Sequence, residues 1–446
     1  MHFPQAVIQL TLLAALTGAL VPSSPKSQRR HVISGSELSP STTRGVSKHF
    51  LVSLDRAARL AHIVYCTGSV VPPPAHLTEP FNCGSHCDDP DIAPPNVHLL
   101  HTWERTVGAV PHPSLTGSCG YVAVDHYGRY HPRGGGNGQI VVVFRGTYSF
   151  ADVVADLSTK QQEYIPYPGE PERPGNGGRG GADQKGKRGR PEAKSARCHN
   201  CTVHMGFMAS WRAARHDVIP VVKAARKQWP GYGVHLIGHS LGGAVAALAA
   251  LEMKIGLGWE DVSVTTFGEP RIGNEGLAHF INWAFELDYE TAEGRPRGKS
   301  LLYRRVTHVG DPVPLLPPGK WGYHSHAGEV YISKSELPPE PKDLHLCRGD
   351  DDRSCIAGCK DESWLLRILG WFKNRKRLTE AEEKTEISDP VVNGWIPAAL
   401  KFWDPLYAHR DYFYRLGLCV PDKGPLDWWR GRHNVTLEEG NEPADL

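Results

Sequence analysis

The segment Gly238-His239-Ser240-Leu241-Gly242 places a serine between two glycines, with the apolar run Val234-His235-Leu236-Ile237 before it and the small-residue run Gly243 to Leu251 after it. A strand, then G-x-S-x-G, then a helix is the arrangement of a nucleophile elbow. The glycines let strand and helix approach closely and let Ser240 adopt a strained backbone, which pushes its hydroxyl out above the sheet. The same turn aims the first backbone N–H groups of the helix at that hydroxyl, where an oxyanion would form. The chemistry implied is attack of a serine on an ester-like carbonyl.

A serine hydroxyl needs a histidine to take its proton and a carboxylate to orient that histidine. In elbow-based enzymes the acid follows the serine and the histidine follows the acid. Asp311 lies in Val306-Thr307-His308-Val309-Gly310-Asp311-Pro312-Val313-Pro314, just after an apolar strand and in a loop stiffened by prolines. The histidines beyond it are His324, His326, His345, His409 and His433. His324 and His326 run straight into a strand, which suits structural roles, while His345 and His433 sit in polar loops. His409 is preferred over His324, because a bridge between Cys66 and Cys419 would hold its neighbourhood in place. For the oxyanion, the N–H of Leu241 needs a second donor. Thr147 follows the strand ending Phe144-Arg145-Gly146 and offers an N–H and a hydroxyl, although a helix N-cap is an equally ordinary use of a threonine. Phe150, Val153, Val154 and Leu157 then recur at helical spacing, as in a short amphipathic lid beside the site.

The elements that must position these groups alternate. A helix is expected over Phe50–Tyr65 from apolar residues at Leu51, Leu54, Ala57, Ala58, Ala61 and Val64, and another over Phe207–Trp229, bent at Pro220. Strands are expected at Tyr121–Val124, Ile140–Phe144, the run before Ser240, Val262–Phe267, Leu301–Val306 and Val330–Ile332. Helices between mostly apolar strands imply an α/β sheet that is parallel at its centre. Two segments read as insertions. Residues 168–197 are rich in Gly, Pro, Lys and Arg and cannot bury a core. Residues 342–394 contain Trp364-Leu365-Leu366-Arg367-Ile368-Leu369-Gly370-Trp371-Phe372, followed by basic residues to Arg377. That is an amphipathic helix suited to packing on the body or lying on a membrane interface.

A net charge of +2 over 446 residues argues against a dedicated nucleic-acid surface. The apolar run at residues 6–21, followed by small residues, reads as a signal peptide, with an uncleaved anchor as the alternative. Ten cysteines behind such a segment imply disulfides. The close pairs are Cys83/Cys87, Cys198/Cys201 and Cys347/Cys355. Cys66 and Cys419 lie near opposite ends of the folded region, and Cys119 and Cys359 have no assigned partner. The C-x-x-C at Cys198 has no companion C-x-x-C or H-x-x-x-H, so a local disulfide is preferred to zinc or redox chemistry. Asn200-Cys-Thr202 and Asn434-Val-Thr436 are glycosylation sequons, Asn200 being the weaker acceptor if Cys201 is bridged.

Together the motifs resemble a known family, the fungal class 3 lipases, which include secreted lipases and feruloyl esterases with an α/β-hydrolase fold. The resemblance rests on Val142-Val-Phe-Arg-Gly-Thr147, Val203-His-Met-Gly-Phe207, Gly238-His-Ser-Leu-Gly-Gly243, Phe267-Gly-Glu-Pro-Arg-Ile-Gly-Asn274, Asp311-Pro-Val-Pro314 and His409-Arg-Asp-Tyr-Phe413. It covers Phe50 to Cys419 and implies Ser240 as nucleophile, Asp311 as acid, His409 as base, Thr147 and Leu241 as oxyanion donors, and Tyr148–Val153 as the lid, to which Val154 also contributes. It further implies the disulfides Cys66–Cys419, Cys83–Cys87 and Cys198–Cys201. The chain departs from the family in carrying Val153 where a lid tryptophan is common and in its two insertions.

The resulting expectation is a signal peptide over residues 1–21, a linker or propeptide over 22–45, one catalytic domain over 46–420 and a tail over 421–446. The expected activity is that of a secreted, monomeric serine carboxylester hydrolase acting on triacylglycerol at an oil–water or membrane interface, with no metal and no cofactor. An esterase on soluble substrates, a phospholipase, and a non-enzymatic lipid-binding protein are the alternatives, the last disfavoured by the intact Ser/Asp/His set. A secretory-pathway or vacuolar lumen, or membrane anchoring, is the alternative location.

Overall fold

A computed structural model describes residues 46–68, 76–84, 87, 96–105, 117–126, 138–146, 161–164, 198–287, 302–358 and 408–417. The signal-peptide run, the lid, the insertion at 168–197 and the amphipathic segment at 364–377 lie outside these residues. Among the described residues no helix is long and apolar enough to cross a membrane.

The strands are β1 (Val97–Arg105), β2 (Ser118–Asp125), β3 (Gln139–Phe144), β4 (Gln161–Glu163), β5 (Thr202–His204), β6 (Gly233–His239), β7 (Val262–Phe267), β8 (Tyr303–His308), β9 (Glu329–Ile332) and β10 (Leu344–Leu346). The helices are α1 (Lys48–Ile63), α2 (Met205–Gln228), α3 (Leu241–Leu251) and α4 (Glu275–Phe285). Among the described residues eight strands form one sheet in the order β1-β2-β3-β6-β7-β8-β9-β10, and β4 and β5 pair separately. From β3 through β6, β7 and β8 to β9 every pairing is parallel. The pairings β1/β2, β2/β3 and β9/β10 are antiparallel. This is the α/β-hydrolase architecture the motifs imply.

The central strands read as unbroken apolar runs because both faces of the sheet are covered. In β3, Ile140, Val142 and Phe144 join a core with residues of α2, α3 and α4, while Val141 and Val143 join a second core with α1. Ser47 caps α1 by accepting from Phe50 N at 3.1 Å, and the helix buries Leu54, Ala57, Ala58 and Ala61. Helix α3 is buried along its whole length, and its alanines let it lie close against the sheet. Asn274 caps α4 by accepting from Leu277 N at 3.1 Å.

Several elements differ from the sequence expectation. Helix α1 begins at Lys48, and its last residues turn into a 3-10 segment, Val64–Cys66. Strand β8 is shifted to Tyr303–His308. Strand β1 was not expected: a bulge between Leu99 and His101 breaks its alternation, and the exposed His98 and half-buried His101 dilute its apolar pattern. The insertion expected from Lys342 onward starts inside the fold. Leu344–Leu346 extends the sheet as β10, and Cys347 N bonds Glu329 O at 3.0 Å. Buried Glu329 then accepts from Ile356 N and Ala357 N, each at 3.1 Å, from Thr307 Oγ1 at 2.6 Å and from Arg305 at 3.2 Å. One carboxylate thus docks the loop after Cys347 onto β8 and β9.

Candidate active site

Ser240 sits between the end of β6 and the start of α3 with φ 58° and ψ −132°, a conformation rare for a residue with a side chain. Two close approaches enforce it. A Cβ on Gly238 would lie 2.2 Å from Gly242 O, and a Cβ on Gly242 would lie 2.3 Å from Phe144 O, so the turn closes on itself and onto β3 only with glycine at both places. Ser240 N donates to Phe267 O at 2.8 Å, tying the elbow to the end of β7. Leu241 is the first residue of α3, where a helix leaves its N–H groups without intrahelical acceptors. The chain entering Thr147 also passes beside the serine, since a Cβ on Gly146 would fall 2.9 Å from Ser240 Cβ.

Asp311 follows β8, and the sheet order brings the ends of β6, β7 and β8 side by side. His409 arrives from far along the chain, and its Nδ1 lies 3.0 Å from both carboxylate oxygens of Asp311. Asp311 Oδ1 also accepts from Val313 N at 2.9 Å, and Oδ2 accepts a short bond from the hydroxyl of Tyr412. Ser240, Asp311 and His409 are all buried, at 1%, 1% and 4% exposure. Low exposure matters here, because a hydrogen bond to a carboxylate is strengthened where water is excluded. In this conformation Ser240 Oγ hydrogen-bonds no described residue, so proton transfer to His409 requires the two to draw together, as is common without substrate.

The structure separates the histidine candidates. His409 is at Asp311, whereas His324 Nδ1 pairs with Ser325 O at 2.8 Å and lies 3.9 Å from Asp350. His326 is buried and bonds Glu269 at 2.7 Å, in keeping with a structural part. Thr147, Tyr148, Phe150, Val153 and Val154 lie outside the described residues. Cys83–Cys87, Cys198–Cys201 and Cys347–Cys355 are bonded as their spacing suggests. Cys66 is in a disulfide whose other half falls outside the described residues, with Cys419 and Cys359, and Cys119 is a buried free thiol whose ionisation burial opposes. Asn200 is exposed, and Asn434 is outside the described set. Among the described residues no group of three or more His, Cys, Asp or Glu side chains is arranged to hold a metal.

Sequence reasoning missed Tyr412 and left His239 without a role. Tyr412 sits three residues after His409, but nothing in that spacing says that its hydroxyl turns back to Asp311. Its burial and the adjacent carboxylate push its ionisation well above the usual range, so the hydroxyl keeps its proton and donates it to Asp311.

A strained serine on an elbow, with a buried carboxylate–imidazole pair at the same edge of an α/β sheet, defines a serine hydrolase of the α/β-hydrolase fold. Comparison with known proteins agrees. The model of the lipase (class 3) family matches residues 141–321. A secreted mono- and diacylglycerol lipase 2 of Gibberella zeae is 45% identical over 96% of this chain and 95% of its own. Lipase A of Sodiomyces alcalophilus is 44% identical over 87% of this chain and 86% of its own. The Lip2 lipase of Yarrowia lipolytica, at 24% identity, shares the fold with a TM-score of 0.57 over 84% of this chain and 97% of that one. The chain belongs to the class 3 lipase family, and it is a secreted lipase.

Proposed function

We propose that the chain hydrolyses acylglycerol esters through an acyl-enzyme on Ser240. The observation that carries this is the pair of 3.0 Å contacts from His409 Nδ1 to Asp311, made beside the strained serine. Asp311 keeps the Nδ1 proton on His409, which leaves Nε2 as the acceptor. His409 takes the Ser240 proton as the hydroxyl attacks the ester carbonyl. The N–H of Leu241, with Thr147 as second donor, holds the oxyanion. His409 then gives the proton to the departing alcohol, and water, deprotonated by the same imidazole, frees the acid. We further propose that the enzyme acts as a monomer, since no step above draws a residue from a second copy.

Triacylglycerol is the expected substrate, and the name of the Gibberella zeae relative adds mono- and diacylglycerols to those worth testing. Action at an oil–water interface rests on the apolar spacing of Phe150, Val153 and Val154. The test is initial rates on tributyrin, triolein, mono- and diolein, phosphatidylcholine and methyl ferulate, each below and above aggregation, with Ser240→Ala as control. Ser240→Ala is expected to lose at least ~1,000-fold of the rate while staying folded. Turnover unchanged in that variant overturns the nucleophile assignment. Rates highest on methyl ferulate, or no gain on aggregation, overturn the substrate reading.

A further inference from the structure

In G-x-S-x-G the residue before the serine is unconstrained by the motif, yet here it is a histidine with both ring nitrogens engaged. His239 is 2% exposed. Its Nε2 lies 2.8 Å from the backbone oxygen of His409, and its Nδ1 lies 2.7 Å from the hydroxyl of Tyr65. The two imidazoles are 4.7 Å apart, centroid to centroid, and inclined by 31°. A carbonyl oxygen can only accept, so Nε2 carries the hydrogen. Burial, and then the neighbouring His409, hold the ionisation of His239 well below the usual range for a histidine. The ring is therefore neutral, its Nδ1 is an acceptor, and Tyr65 is the donor.

Resting on the roles assigned above to Ser240, Asp311 and His409, we propose that His239, oriented by Tyr65, is a positioning residue for the base: it ties the backbone of His409 to the strand end that carries Ser240. His409 is thereby held at two points, its side chain by Asp311 and its main chain by His239. The first hold sets which nitrogen carries the proton. The second sets the distance between the imidazole and the nucleophile, because residues 239 and 240 move as one rigid turn. Tyr65 is the middle residue of the 3-10 segment after α1, and Cys66, which closes that segment, is disulfide-bonded, so the orienting hydroxyl is itself on an anchored element. Neutrality matters as well. A charged ring 4.7 Å from His409 would oppose the imidazolium that forms when His409 takes the serine proton.

The experiment compares His239→Leu, His239→Gln and Tyr65→Phe in the full chain. Active sites are titrated with a p-nitrophenyl alkylphosphonate, and kcat per titrated site, KM and Tm are read on tributyrin. His239→Leu is expected to lower kcat per titrated site by about 10- to 100-fold with KM within about twofold, the cost of a base displaced by a fraction of an ångström to an ångström. His239→Gln keeps an amide N–H able to reach the same carbonyl and is expected within about threefold of wild type, with Tyr65→Phe between the two. A kcat per titrated site that stays at the wild-type value in His239→Leu, however far Tm falls, shows a role in stability alone and overturns the proposal. If His239→Leu does not fold, the order of the other two variants decides: Tyr65→Phe at the wild-type kcat, or His239→Gln no better than it, is the overturning result. Turnover surviving in Ser240→Ala strikes the underlying mechanism instead, so the two failures are distinct.

Discussion

Replacing Asp311 by asparagine keeps the shape of the site and reverses its proton logic. His409 Nδ1 lies 3.0 Å from each oxygen of Asp311, Val313 N donates to Oδ1 at 2.9 Å, and Tyr412 donates to Oδ2. The backbone N–H of Val313 is a fixed donor. An asparagine that satisfies it must put its carbonyl oxygen at the Oδ1 position and its NH2 at the Oδ2 position. The Tyr412 hydroxyl can turn to accept, so it does not resist. The amide N–H then faces His409 Nδ1 and favours the tautomer with Nδ1 bare and Nε2 protonated. That imidazole cannot accept the proton of Ser240. The opposite flip sets NH2 against Val313 N–H, two buried donors face to face, at a cost of about 1–3 kcal/mol. With the wrong tautomer favoured, kcat should fall about 10,000-fold, equivalent to ~5.5 kcal/mol of lost transition-state stabilisation. KM should change little, since the substitution keeps the shape of the site. The assay is kcat on tributyrin per titrated active site, with Tm measured alongside. An Asp311→Asn enzyme within tenfold of wild type would refute the reasoning, because it would mean that His409 does not depend on this carboxylate for its tautomer.

Three further outcomes follow from the same geometry. Tyr412→Phe removes one charge-assisted bond to Asp311 and leaves the other donors, so kcat/KM should drop by about 1.5–3 kcal/mol in transition-state terms, and activity equal to wild type would show that the hydroxyl is dispensable. Arg304 is 1% exposed, bonds Ser53 and His235 but no carboxylate among the described residues, and burial draws its pKa down to about 9. Arg304→Met should therefore leave stability unchanged or raise it by up to ~4 kcal/mol, read as a urea midpoint, and a clear loss would mean that the guanidinium has net stabilising contacts. Burial holds His239 and His308 below the usual histidine pKa, so in the folded state they stay neutral where the unfolded chain takes up protons. Their contribution is complete above about pH 6.5 and is lost as pH falls below it, at up to ~1.4 kcal/mol per pH unit for each ring. His308→Gln should flatten that acid slope in denaturation curves, and an unaltered slope would remove His308 from the account.

Much of the scaffold was legible before any coordinates, for a local reason. The nucleophile elbow is spelled by neighbours: the apolar β6, the glycines at 238 and 242 and the alanine-rich α3 all lie within one short stretch. Strands β2, β3, β6 and β7 show as apolar runs because a sheet covered on both faces demands them, and α1 shows its periodicity because one face meets the core. Short-range disulfides at Cys83, Cys198 and Cys347 follow from the reach of a few residues. Strand β1 escaped because an edge strand with a bulge carries little of that pattern.

The convergence of the site belongs to the tertiary structure. Asp311 and His409 are 98 positions apart, and apart from the family resemblance carried by His409-Arg-Asp-Tyr-Phe413 the residues alone give only a preference for His409 over His324. The folded chain decides it: the parallel set β6-β7-β8 lines up the end of the serine strand with Asp311 after β8, and it is His409 that reaches that carboxylate. The choice of donors is likewise made by folding. Tyr412 to Asp311, and Tyr65 through His239 to His409, are contacts between segments 101, 174 and 170 residues apart. Sequence patterns report the periodicity with which a segment buries one face. The partner that a polar atom finds at the end of a strand depends on which segments the fold brings there, and only there are the hydrogen-bonding needs of buried groups resolved.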